Sequence, residues 1–305
     1  MIKNFTIFWK KFRNSSRIFL DRFAGKTLLF CSVLILVLVL AMGVGLTLKS
    51  IPVLQEISFS ELMTGSDWQP FKNKFGFLPF LMGTVYVTLI AVLIALPLSL
   101  LSAIFLTEYA HRRIKKYVFP VLDILASLPS VIYGVWGVLV IVPLVSDLTP
   151  ESYGFSSGYT LLAAGIVAAI MIVPLMVSLF VEVFSTVSQD LRDASFAMGA
   201  TRWQTAIKVV VKKTLPGIFA SVVLSVSRAL GETIAILMVC GNMAKVPESL
   251  FDACYPLPSL LANNYGEMLS LPIYESALMF AALILFVVVI VFNLVSRLIL
   301  RKIRE

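Results

Sequence analysis

Residues 27–48 read TLLFCSVLILVLVLAMGVGLTL, 22 consecutive positions without Asp, Glu, Lys or Arg. Coiled at about 1.5 Å per residue, such a stretch is about 33 Å long and crosses a hydrocarbon layer roughly 30 Å thick. Working outward from it, hydropathy marks five more stretches of this kind, at 83–106, 117–145, 158–184, 214–241 and 274–296. The whole chain agrees, with 59% apolar and 14% charged residues and a mean hydropathy of +0.95. Soluble domains run near 45–50% apolar and about 25% charged, so a soluble enzyme is excluded. The expected fold is all-α and integral to a membrane, with six spans.

The net charge of +8 does not point to nucleic acid once the cations are placed. Lys and Arg number 7 in residues 1–26, 4 in 107–116, 5 in 185–213 and 4 in 297–305, whereas the alternate loops hold 3, none and 1. The positive-inside rule then puts both termini and the basic loops in the cytoplasm. This divides the chain into a basic segment 1–26, an anchor 27–48, a periplasmic loop 49–82, a core 83–296 with a cytoplasmic loop 187–213, and a basic tail 297–305. The long first stretch, with no small-x-small cleavage signature after it, reads as a retained anchor. Ahead of it, Phe5, Phe8, Trp9 and Phe12 recur at helical spacing among Lys10, Lys11 and Arg13. That pattern suits an amphipathic helix in the headgroup layer or a basic flank that fixes topology. Gly25-Lys26-Thr27 resembles the end of a phosphate-binding loop, but Leu20 stands where that loop needs glycine, so no ATP site is expected.

Prolines and glycines punctuate the middle spans at Pro97, Pro129, Gly134, Gly137, Pro143 and Pro174. A proline inside a helix removes a donor and clashes with the preceding turn, and freed carbonyls at membrane depth need protein or water partners. Their accumulation favours a cavity-lining bundle over an inert anchor. Asp123, Glu182 and Glu275 fall near span ends, where hydration suffices. Arg228 reads as the fifteenth residue of the fifth stretch, and an ionised group at a bilayer centre carries a penalty of about 2.5–3.5 kcal/mol on insertion scales. Glu232 follows at i+4 on the same helix face. The planar guanidinium fork suits a bidentate grip on an oxyanion. Glu232 repels a fully ionised anion yet accepts a hydrogen bond from one that keeps a proton, which favours phosphate over sulfate. Ser130, beside Pro129, is a further candidate donor, or simply a serine at a kink. One histidine, His111, and three scattered cysteines supply neither a metal cluster nor a hydrolytic set, and no disulfide framework can be read.

The loop 187–213 is too long for a tight turn. Asp193-Ala194-Ser195-Phe196-Ala197-Met198-Gly199 supplies an acid, small residues and a glycine. It reads as a short helix, a glycine-permitted turn and a second helix from about Thr201 and Arg202, a shape suited to docking in a groove or to an interfacial hairpin. This stretch resembles the coupling loop of the ATP-binding-cassette importer permeases, with Asp193 in the usual Glu position. Phe75-Gly76-Phe77-Leu78-Pro79-Phe80 with Gly83-Thr84, Ser127 to Gly137, and Ser227-Arg228-Ala229-Leu230-Gly231-Glu232-Thr233 with Gly241-Asn242 resemble the phosphate-specific PstC family of such permeases.

The resemblance implies a six-span permease fold and uptake of inorganic phosphate. It implies Arg228 and Glu232 in the anion path, and Asp193, Ala194 and Gly199 at the ATPase contact. It further implies a sister permease PstA, two copies of the ATPase PstB, which would hold ATP and magnesium, and a periplasmic phosphate-binding protein PstS. This chain would bind no cofactor and hydrolyse no ATP. Leu215-Pro216 lies four residues beyond the usual place for Leu-Pro, now Val211-Lys212, so the second coupling helix is expected to run one turn longer. The weighed alternatives are a permease for molybdate, sulfate or phosphonate, an anion channel that needs no ATPase, and an intramembrane enzyme.

Overall fold

A computed structural model describes the backbone of residues 2–150, 157–266 and 272–304, with side chains described from Phe23 to Arg301 within those limits. The chain divides into two compact units, 1–49 and 50–305. The first consists of most of helix α1 (Ile2–Glu56), apolar all round from Leu28 to Leu48, the signature of a membrane span. The aromatic side chains at Phe5, Phe8, Trp9 and Phe12 lie outside the described set; the backbone there is helical.

Among the described residues, six helices are long and apolar enough to cross a membrane: Phe23–Glu56, Leu78–Tyr109, Ser130–Leu148, Leu161–Ser185, Arg202–Leu230 and Pro272–Arg301. The second unit begins with the end of α1 and a short helix α2 (Phe59–Thr64), capped by Ser58. A two-stranded hairpin, β1 (Trp68–Gln69) and β2 (Lys74–Phe75), pairs Trp68 with Phe75. Trp68 meets Phe75 and Phe80 edge-on and Phe77 and Tyr274 at a tilt, at ring separations of 4.9–5.9 Å. The Phe75–Phe80 stretch thereby builds a small aromatic core at one end of the bundle.

Helix α3 (Leu78–Ile104) ends in a wide turn, Phe105–Tyr109. It packs along α7 (Leu161–Ser185), the most buried of the spans. The seam is small-residue packing, with Ala91 and Ala95 buried on α3 and Ala164, Ala168 and Ala169 on α7. In lipid, with little hydrophobic drive between helices, such close approach is what holds a pair together. Helix α7 also touches α4 (Arg112–Ser127) and α10 (Lys212–Leu230).

The third and fifth spans depart from the hydropathy reading. Residues 117–145 are two helices: α4 ends at Ser127, Leu128 and Pro129 are extended, and α5 (Ser130–Trp136) starts a new one. Pro129 lacks the N–H that would continue α4 and disfavours helical backbone at Leu128. From α5 the chain passes through a wide turn, Gly137–Ile141, into α6 (Val142–Leu148). Pro97 and Pro174, by contrast, sit inside continuous helices.

The coupling stretch forms α8 (Gln189–Ala197), then a turn with Gly199 at φ +82°, then α9 (Arg202–Thr205). Thr201 caps α9 in a reciprocal pair with Gln204. Rather than stopping one turn late, α9 continues through a wide turn, Ala206–Val211, directly into α10. The fifth span therefore starts twelve residues before the expected 214 and ends at Leu230. Gly231 to Thr233 break it, and a short α11 (Ile234–Leu237) follows, then α12 (Leu257–Asn264) and α13 (Pro272–Arg304).

A Cβ added at Gly165 would lie 2.3 Å from Ile90 Cγ2. Gly165→Val is expected to destabilise the purified protein by about 1–3 kcal/mol. Ile90→Ala in that background should recover part of the loss of Tm; a Gly165→Val protein that melts like wild type would contradict the α3–α7 seam.

Candidate functional site

The centre of the second unit holds two helix breaks, and Arg228 joins them. At the first, Leu125 O would normally accept from residue 129, but a proline stands there. Leu128 N–H donates to Leu125 O instead at 3.3 Å, and the Tyr133 hydroxyl, one turn into α5, adds a shorter bond at 2.7 Å. Ala126 O likewise loses its helical partner and accepts from Arg228 Nη2 at 3.3 Å. A cation at a helix C-terminus also complements its dipole.

At the second break, the end of α10 tightens: Gly231 N donates to Arg228 O at 3.1 Å and Glu232 N to Ala229 O at 3.2 Å. This places Glu232 Oε1 3.6 Å from Arg228 Nε. Arg228 thus lies in the last turn of α10, not at mid-helix as hydropathy implied. Residues 234–241 are apolar and extend a hydropathy window past a break that only the backbone reveals. The side chain of Glu232 is 15% exposed and that of Arg228 37%. Nη1 of Arg228 makes no hydrogen bond among the described residues.

The two short helices beyond the breaks meet. A Cβ at Gly134 of α5 would come 2.6 Å from Met238 Sδ and 3.1 Å from Ala235 Cα of α11. Gly134 is therefore a site of close approach, and Gly137 similarly faces Val167 and Val239. After α11, Gly241 and Asn242 adopt positive φ, and Asn242 Nδ2 donates to Leu237 O at 2.9 Å. The Gly-Asn pair noted in the sequence is thus the cap that reverses the chain. It also brings Cys240 beside Cys254, whose N–H donates to Cys240 O at 2.8 Å; both thiols are free. Fourteen residues of separation concealed that neighbourhood. At the far end, Thr84 Oγ1 accepts from Leu257 N at 2.9 Å and ties α12 to α3.

Of the predicted residues, Arg228 and Glu232 come together. Ser130 is the first residue of α5, half-buried beside the first break, and no hydrogen bond joins it to either charged side chain. Asp193, Ala194 and Gly199 form a separate exposed surface on α8 and its turn, with Asp193 accepting from Gln189 Nε2 at 3.0 Å. Missed altogether was Glu108. Its carboxylate meets Arg192 of α8 at 3.1 Å, with side-chain exposures of 8% and 13%.

The chain is similar to known proteins in sequence and in fold. The sequence model of the family described as binding-protein-dependent transport system inner membrane component matches residues 95–305. The chain belongs to that permease family. The probable ABC transporter permease protein YqgH of Bacillus subtilis is 35% identical, over 91% of this chain and 90% of that one. The phosphate transport system permease proteins PstC of Xylella fastidiosa and Pasteurella multocida are 36% and 35% identical. They cover 82% and 92% of this chain, and 80% and 91% of their own. Among solved structures, the inward-facing MetNI methionine ABC transporter superposes with a TM-score of 0.54 at 20% identity, over 72% of this permease and 91% of that chain. It shares the fold.

Tyr133→Phe would leave Leu125 O with only the longer bond from Leu128 N–H at 3.3 Å. The expected loss is about 0.5–1.5 kcal/mol of stability, read as a lower Tm of the purified permease; an unchanged Tm would show that the hydroxyl adds nothing to the break.

Proposed function

We propose that this chain is the membrane-spanning subunit of an ATP-driven importer of inorganic phosphate, lining the anion path with a sister permease. The observation that carries the reading is Arg228 at the junction of two helix breaks. Its guanidinium is anchored by Ala126 O and Glu232, with over a third of the side chain left accessible. A fork so held presents hydrogen-bond donors to an oxyanion without a new conformational search. Glu232 beside it accepts from the hydroxyl of a protonated phosphate, whereas sulfate offers no donor. Ser130, at the start of α5, offers its hydroxyl from the other break. The relatives named as phosphate transport permeases, similar along most of their length, support the same substrate.

As a permease of this family, the chain works with an ATPase and a substrate-binding protein. In the proposed complex these are PstB, in two copies, and PstS, with PstA as the sister permease. ATP and magnesium belong to PstB, and this chain binds no cofactor. Both termini and the α8–α9 loop face the cytoplasm, in keeping with the distribution of Lys and Arg. Asp193 and Ala194 on α8, with Gly199 in the turn, form the ATPase contact. Closure of the ATPases then moves α8 and, through it, α9 with its continuous fifth span, which exposes Arg228 to each side in turn.

Proteoliposomes containing the whole complex are expected to accumulate radiolabelled phosphate only when supplied with ATP, and to do so in excess unlabelled sulfate. Uptake without ATP would mean a channel; competition by sulfate, molybdate or phosphonate would reassign the substrate. Glu232→Gln is expected to lower phosphate-over-sulfate discrimination by about tenfold, the equivalent of 1.4 kcal/mol. Unchanged discrimination would remove Glu232 from substrate recognition.

A further inference from the structure

The pair Glu108–Arg192 has no part in the site described above, yet it is the most enclosed ion pair among the described residues. Arg192 is on α8, between Asp193 and the bundle. Its Nε and Nη2 donate to Glu108 Oε1 at 3.2 and 3.1 Å. Nη2 also donates to Phe184 O at 3.0 Å, and Nη1 to Val187 O at 2.6 Å. One guanidinium thus binds three pieces of chain: α8, the wide turn Phe105–Tyr109 that ends the second span, and the carbonyls that end the fourth. Phe184 O, which also accepts from Val187 N–H at 3.3 Å, and Val187 O lie where α7 gives way to α8, so the arginine ties down that junction.

The geometry points to Glu108 and Arg192 as positioning residues that transmit ATPase movement from α8 to the spans. This rests on the reading of α8 as the ATPase contact. Leu191 also packs against the core, but an apolar contact is non-directional and lets α8 slide or roll. Four hydrogen bonds from a planar fork fix both its distance and its angle. From there the path is continuous: α7 packs along α3 and touches α10, whose last turn carries Arg228. A groove of about 650 Å³, lined in part by Glu108, Lys115, Gln189, Arg192 and Arg202, opens beside the pair. On that side α8 is held by the clamp and not by close packing. Its other tie, Ser195 Oγ to Thr205 Oγ1 at 2.9 Å, runs to α9.

The test is the amount of phosphate transported per ATP hydrolysed by the reconstituted complex, for wild type, Arg192→Lys and Glu108→Gln. Arg192→Lys keeps the charge and loses the fork; Glu108→Gln keeps the shape and loses the charge. In both, the ATPase is expected to co-purify and continue hydrolysis while the ratio falls about tenfold, within the range of measured coupling energies. Should Arg192→Lys fail to assemble, Glu108→Gln, which leaves the guanidinium on the α7 carbonyls, reads the same ratio. A ratio equal to wild type, even with both rates reduced together, would overturn the inference and make the pair merely structural. Ala194→Arg tests the underlying reading separately: it is expected to release the ATPase, and retention would remove α8 as the contact and the clamp's role with it.

Discussion

Pro129 has no N–H to give, and the centre of the protein is arranged around that missing donor. Within a membrane a carbonyl without a partner is penalised by several kcal/mol because no water is at hand. Two carbonyls at the end of α4 lose their helical partners, and a side chain answers at each: the Tyr133 hydroxyl joins Leu128 N–H at Leu125 O, and the Arg228 guanidinium serves Ala126 O. The second answer brings a full positive charge to the break. Glu232, four residues further on, offsets that charge in part. A helix interruption thereby becomes a place where an anion can be held.

Satisfying those groups also fixes how the surrounding pieces meet. With α4 stopped at Ser127, α5 is free to lie against α11, at a distance that glycine at 134 permits. The Gly241–Asn242 turn then closes α11 and sends the chain toward α12, which Thr84 fastens to α3. At the opposite end, the continuity of α9 with α10 joins the helix-turn-helix to the fifth span, and the Arg192 clamp joins it to the second and fourth. The charged pair and the α8–α9 loop are therefore two ends of one framework, with α7 as its spine.

What could be read in the sequence was whatever depends on transfer free energy or on local backbone chemistry. Residues 27–48 declare a span by length alone, and Gly199 declares a turn with a second helix starting near Thr201 and Arg202, both found where expected. The breaks were less legible. Leu128 and residues 234–241 are as apolar as the spans around them, and hydropathy does not register a missing N–H. Pro129 was read as a helix break, yet the stretches on its two sides were still counted as one span. Arg228 and Glu232 were found because charge in an apolar run stands out, although their place at a helix end was not. Glu108 and Arg192 are 84 residues apart, each in a polar stretch where charge is ordinary. Only the packing of α3 on α7 reveals them as partners.

The central claim, that Arg228 at the paired breaks contacts the transported anion, is tested most directly by phosphate uptake in cells carrying the whole system. Arg228→Gln would be compared with wild type at matched membrane levels and in the presence of excess sulfate. The expected result is a loss of uptake of about thirtyfold or more, as for removal of one partner from a desolvated charge contact, with the complex still assembled. An assembled Arg228→Gln complex that imports phosphate at the wild-type rate would contradict the claim and leave Arg228 as a cap for α4.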